Sequence, residues 1–152
     1  MQVTPTAIYE VARKWNIEVD SPLPQESINV LNQRVPDLLK SKTFTAGIKS
    51  SILSNLQRDA NFNVMSGTMI LRWLLERFTS LLSGGQLNKA MVAYNAGAYN
   101  RAISKGTKAI LEPIDSTTLS QMSNVPAESR GYLLKMLGKD GFLELIYKDK
   151  AI

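Results

Sequence analysis

The stretch "AMVAYNAGAYNRA", Ala90 to Ala102, places two Tyr-Asn pairs, Tyr94-Asn95 and Tyr99-Asn100, around the small residues Ala96, Gly97 and Ala98. A phenol and an amide beside residues that lack bulk are suited to hydrogen-bonding a polar ligand at close range, or to closing a helix with its tyrosine packed inside. Both uses fit the residues. The chain has no histidine and no cysteine among its 152 residues. That removes Ser-His-Asp and Cys-His catalysis, disulfides and the usual zinc sites, and leaves carboxylates, Tyr, Lys, Ser, Thr and backbone groups. A general acid would therefore come from the 13 Asp and Glu residues.

Most of those acids have structural or solvated roles open to them. Glu10 lies on the polar side of a first helix. Glu18, Asp20 and Glu26 fall in polar or loop-like surroundings, Glu76 neighbours Arg72 and Arg77, and Asp140, Glu144 and Asp149 belong to a charged tail. Glu112 and Asp115 flank Pro113 in a loop and fit the rim of a groove. Glu128 follows Pro126 by two residues, in a first helical turn where the helix dipole favours an acid.

The elements that must position these groups read as helices nearly throughout. Thr4 caps a first helix with Pro5 at its first position, and Ile8, Val11, Ala12 and Trp15 follow at helical spacing. Ser21-Pro22-Leu23-Pro24 interrupts. A second pattern runs through Ile28 and Leu31, and Pro36 separates it from a turn at Asp37-Leu38-Leu39. Ile48, Ile52, Leu53 and Leu56 mark a third helix. The longest pattern, Ala60 to Leu82, is apolar around much of its circumference, Val64 included, and predicts a central helix packed on several sides before Gly84-Gly85 stops it. Shorter pieces follow at Leu87 to Tyr94, Ala98 to Ser104, Thr117 to Met122, Ala127 to Leu137 and Phe142 to Tyr147, with a loop from Ile110 to Asp115. In the opening stretch Asn95 suits a helix end, and Gly97 can adopt the positive φ that reverses the chain. The expected fold is all-α and irregular: short helices around a central one, in a single domain over residues 1–152.

The net charge is +5, from 18 Lys and Arg against 13 acids. The cations are scattered, with no dense block or aromatic-interleaved strand, so a solvated surface explains them better than a nucleic-acid interface. Arg101 and Lys105, one turn apart, fit an exposed polar face or contact with an acidic polymer. No apolar run reaches the roughly 20 residues of a membrane span, and Met1 to Pro5 lacks the regions of a signal peptide. No cofactor or metal is expected.

Four blocks in sequence order are similar to the soluble lytic transglycosylase family, lysozyme-like enzymes that cut bacterial peptidoglycan. "AMVAYNAG" resembles the family's "ALAAYNAG". "MQVTPTAIYEVARKW" resembles its "GLMQ-x-x-P-x-T-A" segment, and "DANFNVMSGTMILRWLLERF" its "D-P-x-x-N-I-x-x-G-x-x-Y-L" helix through Asn63, Gly67 and Leu71. "VPAESRGYLLKML" resembles "P-x-E-T-R-x-Y-V-x-x-V" through Pro126, Glu128, Arg130 and Tyr132. The blocks cover most of the chain outside about Asn16 to Gln57.

The resemblance implies a lysozyme-like domain that cleaves the bond between N-acetylmuramic acid and N-acetylglucosamine to a 1,6-anhydro product. It implies substrate contact at Gln2, beside Met1, and at Tyr94, Asn95, Glu128 and Tyr132. Tyr94 would correspond to the tyrosine that orients the catalytic Glu. That Glu belongs to a Glu-Ser pair just before the "GLMQ" segment, where this chain begins. The chain is accordingly expected to lack the family's N-terminal segment, or to be completed by an upstream segment or partner chain, and Glu128 stands as a substitute acid supported by Tyr94. The implied partner is the peptidoglycan glycan strand, and the implied location the cell wall, periplasm or a virion. A non-catalytic peptidoglycan-binding protein, or a structural part of a virion or secretion apparatus, fits the same resemblance.

Overall fold

The structure is a computed structural model that describes residues 3–18, 22–78, 86–97, 123, 125–142 and 145. Those residues form six α-helices and no strand, so the all-α expectation is met. The chain divides into two compact units, Gln2–Arg77 and Phe78–Ile152, the second also taking in Met1.

The first unit opens with α1, Pro5–Glu18. Thr4 caps it as the sequence predicts, its Oγ1 accepting from the Ala7 N–H at 3.2 Å. Ile8, Val11, Ala12 and Trp15 are all buried, and Trp15 is completely enclosed. Helix α2, Gln25–Arg34, buries Leu31 and ends where the Val35 N–H bonds back to the Leu31 carbonyl, before Pro36 and a turn over residues 36–40. Leu38 in that turn is fully buried, which fixes the turn against the core.

Helix α3, Ala46–Arg58, starts at Thr45, whose Oγ1 accepts from the Ile48 N–H at 3.2 Å. It packs against both α1 and α2. Its buried stripe is Ile48 and Ile52, one turn apart. Leu53, expected on the apolar face, is 43% exposed. One residue past Ile52 it is rotated about 100° around the helix, off the stripe.

Helix α4, Ala60–Phe78, follows α3 after a single residue, Asp59. Asp59 Oδ1 accepts from the Phe62 N–H at 3.1 Å and so caps α4, while Oδ2 meets Arg34 Nη2 at 3.0 Å. The Asn55 Nδ2 donates to the Arg34 carbonyl at 3.1 Å. One corner thus ties the end of α2 to the α3–α4 junction. Phe62, Ser66, Met69, Ile70, Trp73 and Leu74 are buried, whereas Asn61, Val64, Thr68 and Arg72 are exposed. The expectation of burial on several sides is therefore not met over the first turns: Val64, at 69% exposure, lies opposite Phe62 and Ser66. Arg72 and Glu76 pair along the outer face at 2.8 Å.

The second unit contains α5, Gln86–Ala96, and α6, Ala127–Leu137, which pack on each other. The expected end of the long helix at 79–82 with its stop at Gly84-Gly85, the pieces at 98–104 and 117–122, most of 142–147, and the loop at 110–115 lie outside the described residues. Gly141 is needed at its position, because a Cβ there would come within 2.6 Å of the Gly138 carbonyl oxygen.

Two substitutions separate capping from unsatisfied burial. The fully buried Ser66 Oγ finds no hydrogen-bond partner among the described residues. Urea unfolding followed by circular dichroism should show Thr45→Ala losing about 1 kcal/mol. Ser66→Ala should lose nothing and gain up to about 1 kcal/mol, since it removes a desolvated hydroxyl at little change in volume.

Candidate functional site

Helix α5 carries the Tyr-Asn pair to the point where the chain turns. Ala90, Met91, Val92 and Ala93 are buried in succession, and Tyr94, Asn95 and Ala96 are half-buried at the helix end. Gly97 then takes φ 98°, with its N–H bonded to the Ala93 carbonyl at 2.8 Å. That is the left-handed position expected of this glycine. Among the described residues nothing lies within 4 Å of where a Gly97 Cβ would stand.

Helix α6 begins after Pro126 and places Glu128 in its first turn, also as expected. Its buried face is Ser129 and Leu133, spaced by four, with Tyr132 at the edge of that face and half-buried. The two helices are joined by polar and aromatic contacts. Ser129 Oγ donates to Asn95 Oδ1 at 2.8 Å, and Ser129 is 1% exposed. The Tyr94 and Tyr132 rings lie 6.5 Å apart between centroids and 24° from parallel, within the range of offset aromatic pairs.

Of the site residues predicted from the sequence, Tyr94, Asn95 and Tyr132 are thus brought together. Asn95 Oδ1 receives a hydroxyl from the neighbouring helix, a role beyond the helix-end role that its position suggested. Glu128 lies one turn before Tyr132, and its side chain is exposed. An exposed carboxyl keeps its hydration and is not enclosed in a cleft. Gln2 and Met1 lie outside the described residues.

Two further residues of α6 carry features that residue type alone does not signal. Ser129 is buried on the same helix face as Tyr132, from which it is spaced by three. Arg130 Nε is buried with no hydrogen-bond partner among the described residues. Among the described residues no group of three or more Asp and Glu side chains is placed to hold a metal ion, and no helix is long and apolar enough to cross a membrane.

Burial pushes the Tyr94 hydroxyl above its ordinary pKa of 10.0. Burial raises Tyr132 as well, and a Tyr94 phenolate beside it acts in the same direction. Both groups are neutral near pH 7, and so act as phenol donors and acceptors rather than as bases.

No protein-family model, curated protein or solved structure matches the chain.

The tyrosine pair has a measurable alkaline signature. A tyrosine whose folded pKa is raised contributes stability that is complete below the unfolded value and lost as pH rises through the folded one. Stability should therefore fall above the ordinary value of 10.0, and absorbance titration at 295 nm should show late-ionising tyrosines. Tyr94→Phe should remove one late component and bring the Tyr132 component to lower pH. Unchanged titration of the remaining tyrosines would contradict the coupling between the two rings.

Proposed function

We propose that the chain is a lytic-transglycosylase-like domain that binds peptidoglycan glycan strands along the Tyr94–Tyr132 face. One observation carries the reading. The "AYNAG" and "PAESRGY" segments, distant in sequence and each similar to a family block, meet in a half-buried aromatic pair whose helices are cross-tied by Asn95 and Ser129. Pyranose rings present apolar C–H faces that stack on aromatic rings, and their hydroxyls require donors and acceptors at the rim. Two neutral phenols and the adjacent Asn95 amide provide both kinds of contact. The small residues Ala96 and Gly97, half-buried and exposed respectively, allow a polymer to approach the backbone closely.

Binding is what these residues support. Cleavage to a 1,6-anhydro sugar requires a sheltered acid to protonate the glycosidic oxygen, and the exposed Glu128 is not held in such a setting. The non-catalytic form of the family reading is favoured by that exposure.

Incubation with purified, insoluble peptidoglycan tests the proposal by co-sedimentation and by chromatography of the released material. The chain should sediment with the polymer, and Tyr132→Ala should lower affinity by roughly tenfold, the size of effect expected for losing one well-packed aromatic anchor. Tyr132→Phe should retain most of the binding if stacking dominates. Glu128→Gln should leave binding unchanged. Absence of co-sedimentation would overturn the proposal, and release of 1,6-anhydro-muropeptides that Glu128→Gln abolishes would make Glu128 the acid.

A further inference from the structure

We propose that the first unit carries a separate site for a small aliphatic carboxylate, built around Arg13. A cavity of about 360 Å³ is lined by Ala12, Arg13, Pro22, Leu23, Ile28 and Leu39. That volume falls in the range of small-ligand pockets. Arg13 is the one charged side chain among the described lining residues, and the other five are apolar.

The state of Arg13 gives the pocket its selectivity. Its Nη1 donates to the Tyr9 hydroxyl and to the Lys42 carbonyl, both at 2.7 Å, and its guanidinium carbon stands 5.3 Å from the centroid of the Tyr9 ring. Tyr9 is itself stacked on Phe44, with centroids 4.6 Å apart. The guanidinium is thus fixed from two directions by neutral groups. Arg34 and Arg72, by contrast, are paired with Asp59 and Glu76. Among the described residues Arg13 has no carboxylate partner, so its exposed guanidinium is open to an external anion at the wall of a cavity whose other lining side chains are apolar. A guanidinium held in place loses little further freedom when an anion adds to its remaining N–H groups. Such an anion would be a monocarboxylate whose hydrocarbon body fills the space between Leu23, Ile28 and Leu39. The site lies in the unit that contains neither Tyr94 nor Tyr132 and does not depend on glycan binding.

Calorimetric titration of the full chain with octanoate, octan-1-ol and octylammonium tests it. Octanoate should bind saturably at one site and more tightly than octanol or octylammonium by roughly tenfold, the increment of a charge-assisted contact. Arg13→Gln should abolish that preference, Arg13→Lys should retain part of it, and Ile28→Trp, which fills the cavity with Arg13 intact, should suppress octanoate binding. Equal affinity for octanoate and octanol, no saturable octanoate binding, or octanoate binding that survives Ile28→Trp would each overturn the proposal. Circular dichroism melts identify any variant that fails to fold; should Arg13→Gln do so, Ile28→Trp and the comparison of the three ligands decide.

Discussion

Helix ends leave backbone donors and acceptors without partners, and this protein meets that constraint with side chains that also join one helix to the next. Asp59 is the clearest case, since one carboxylate oxygen caps α4 and the other holds Arg34 at the end of α2. Asn55 does the same from the opposite direction, bonding the Arg34 carbonyl and the carbonyl of Ser51 in its own helix. With no disulfide available, such corners and the apolar stripes between them set the helix geometry. The Arg34–Asp59 pair is partly exposed, so its Coulomb contribution is modest. It nonetheless links the end of α2 to the residue from which the 19-residue α4 starts.

The same economy of parts operates at the tyrosine pair. Ser129 satisfies its buried hydroxyl on Asn95, and in doing so registers α6 against α5 so that Tyr132 and Tyr94 fall side by side. A buried hydroxyl without that partner would cost about 1–3 kcal/mol. The contact therefore favours one register of the two helices over its neighbours. Desolvation of the two phenols is a consequence of that register and keeps them neutral well beyond physiological pH.

Much of the local structure was legible from residue types. Thr4-Pro5 as a helix start, the break at Pro22 to Pro24, the turn after Pro36, the positive φ of Gly97 and the first-turn position of Glu128 all follow from φ preference, missing N–H groups and the helix dipole. Apolar identity misled where it was read without rotation. Leu53 and Val64 are hydrophobic by type yet point away from the buried stripes of α3 and α4. Conversely Ser66, polar by type, is completely buried on the stripe that also carries Phe62, Met69 and Trp73.

The sequence by itself determined the helical class, the helix starts and stops at Pro5, Pro24, Pro36, Gly97 and Pro126, and the absence of histidine and cysteine chemistry, because these depend on backbone preference and side-chain inventory within a few residues. Tertiary structure decided which distant side chains meet. The Asn95–Ser129 bond, the pairing of Tyr94 with Tyr132, the exposure of Glu128 and the placement of Arg13 on the wall of a cavity beside Leu23, Ile28 and Leu39 depend on how helices rotate and dock. Periodicity fixes the face a helix presents, but its partner is chosen by the packing of the whole stripe.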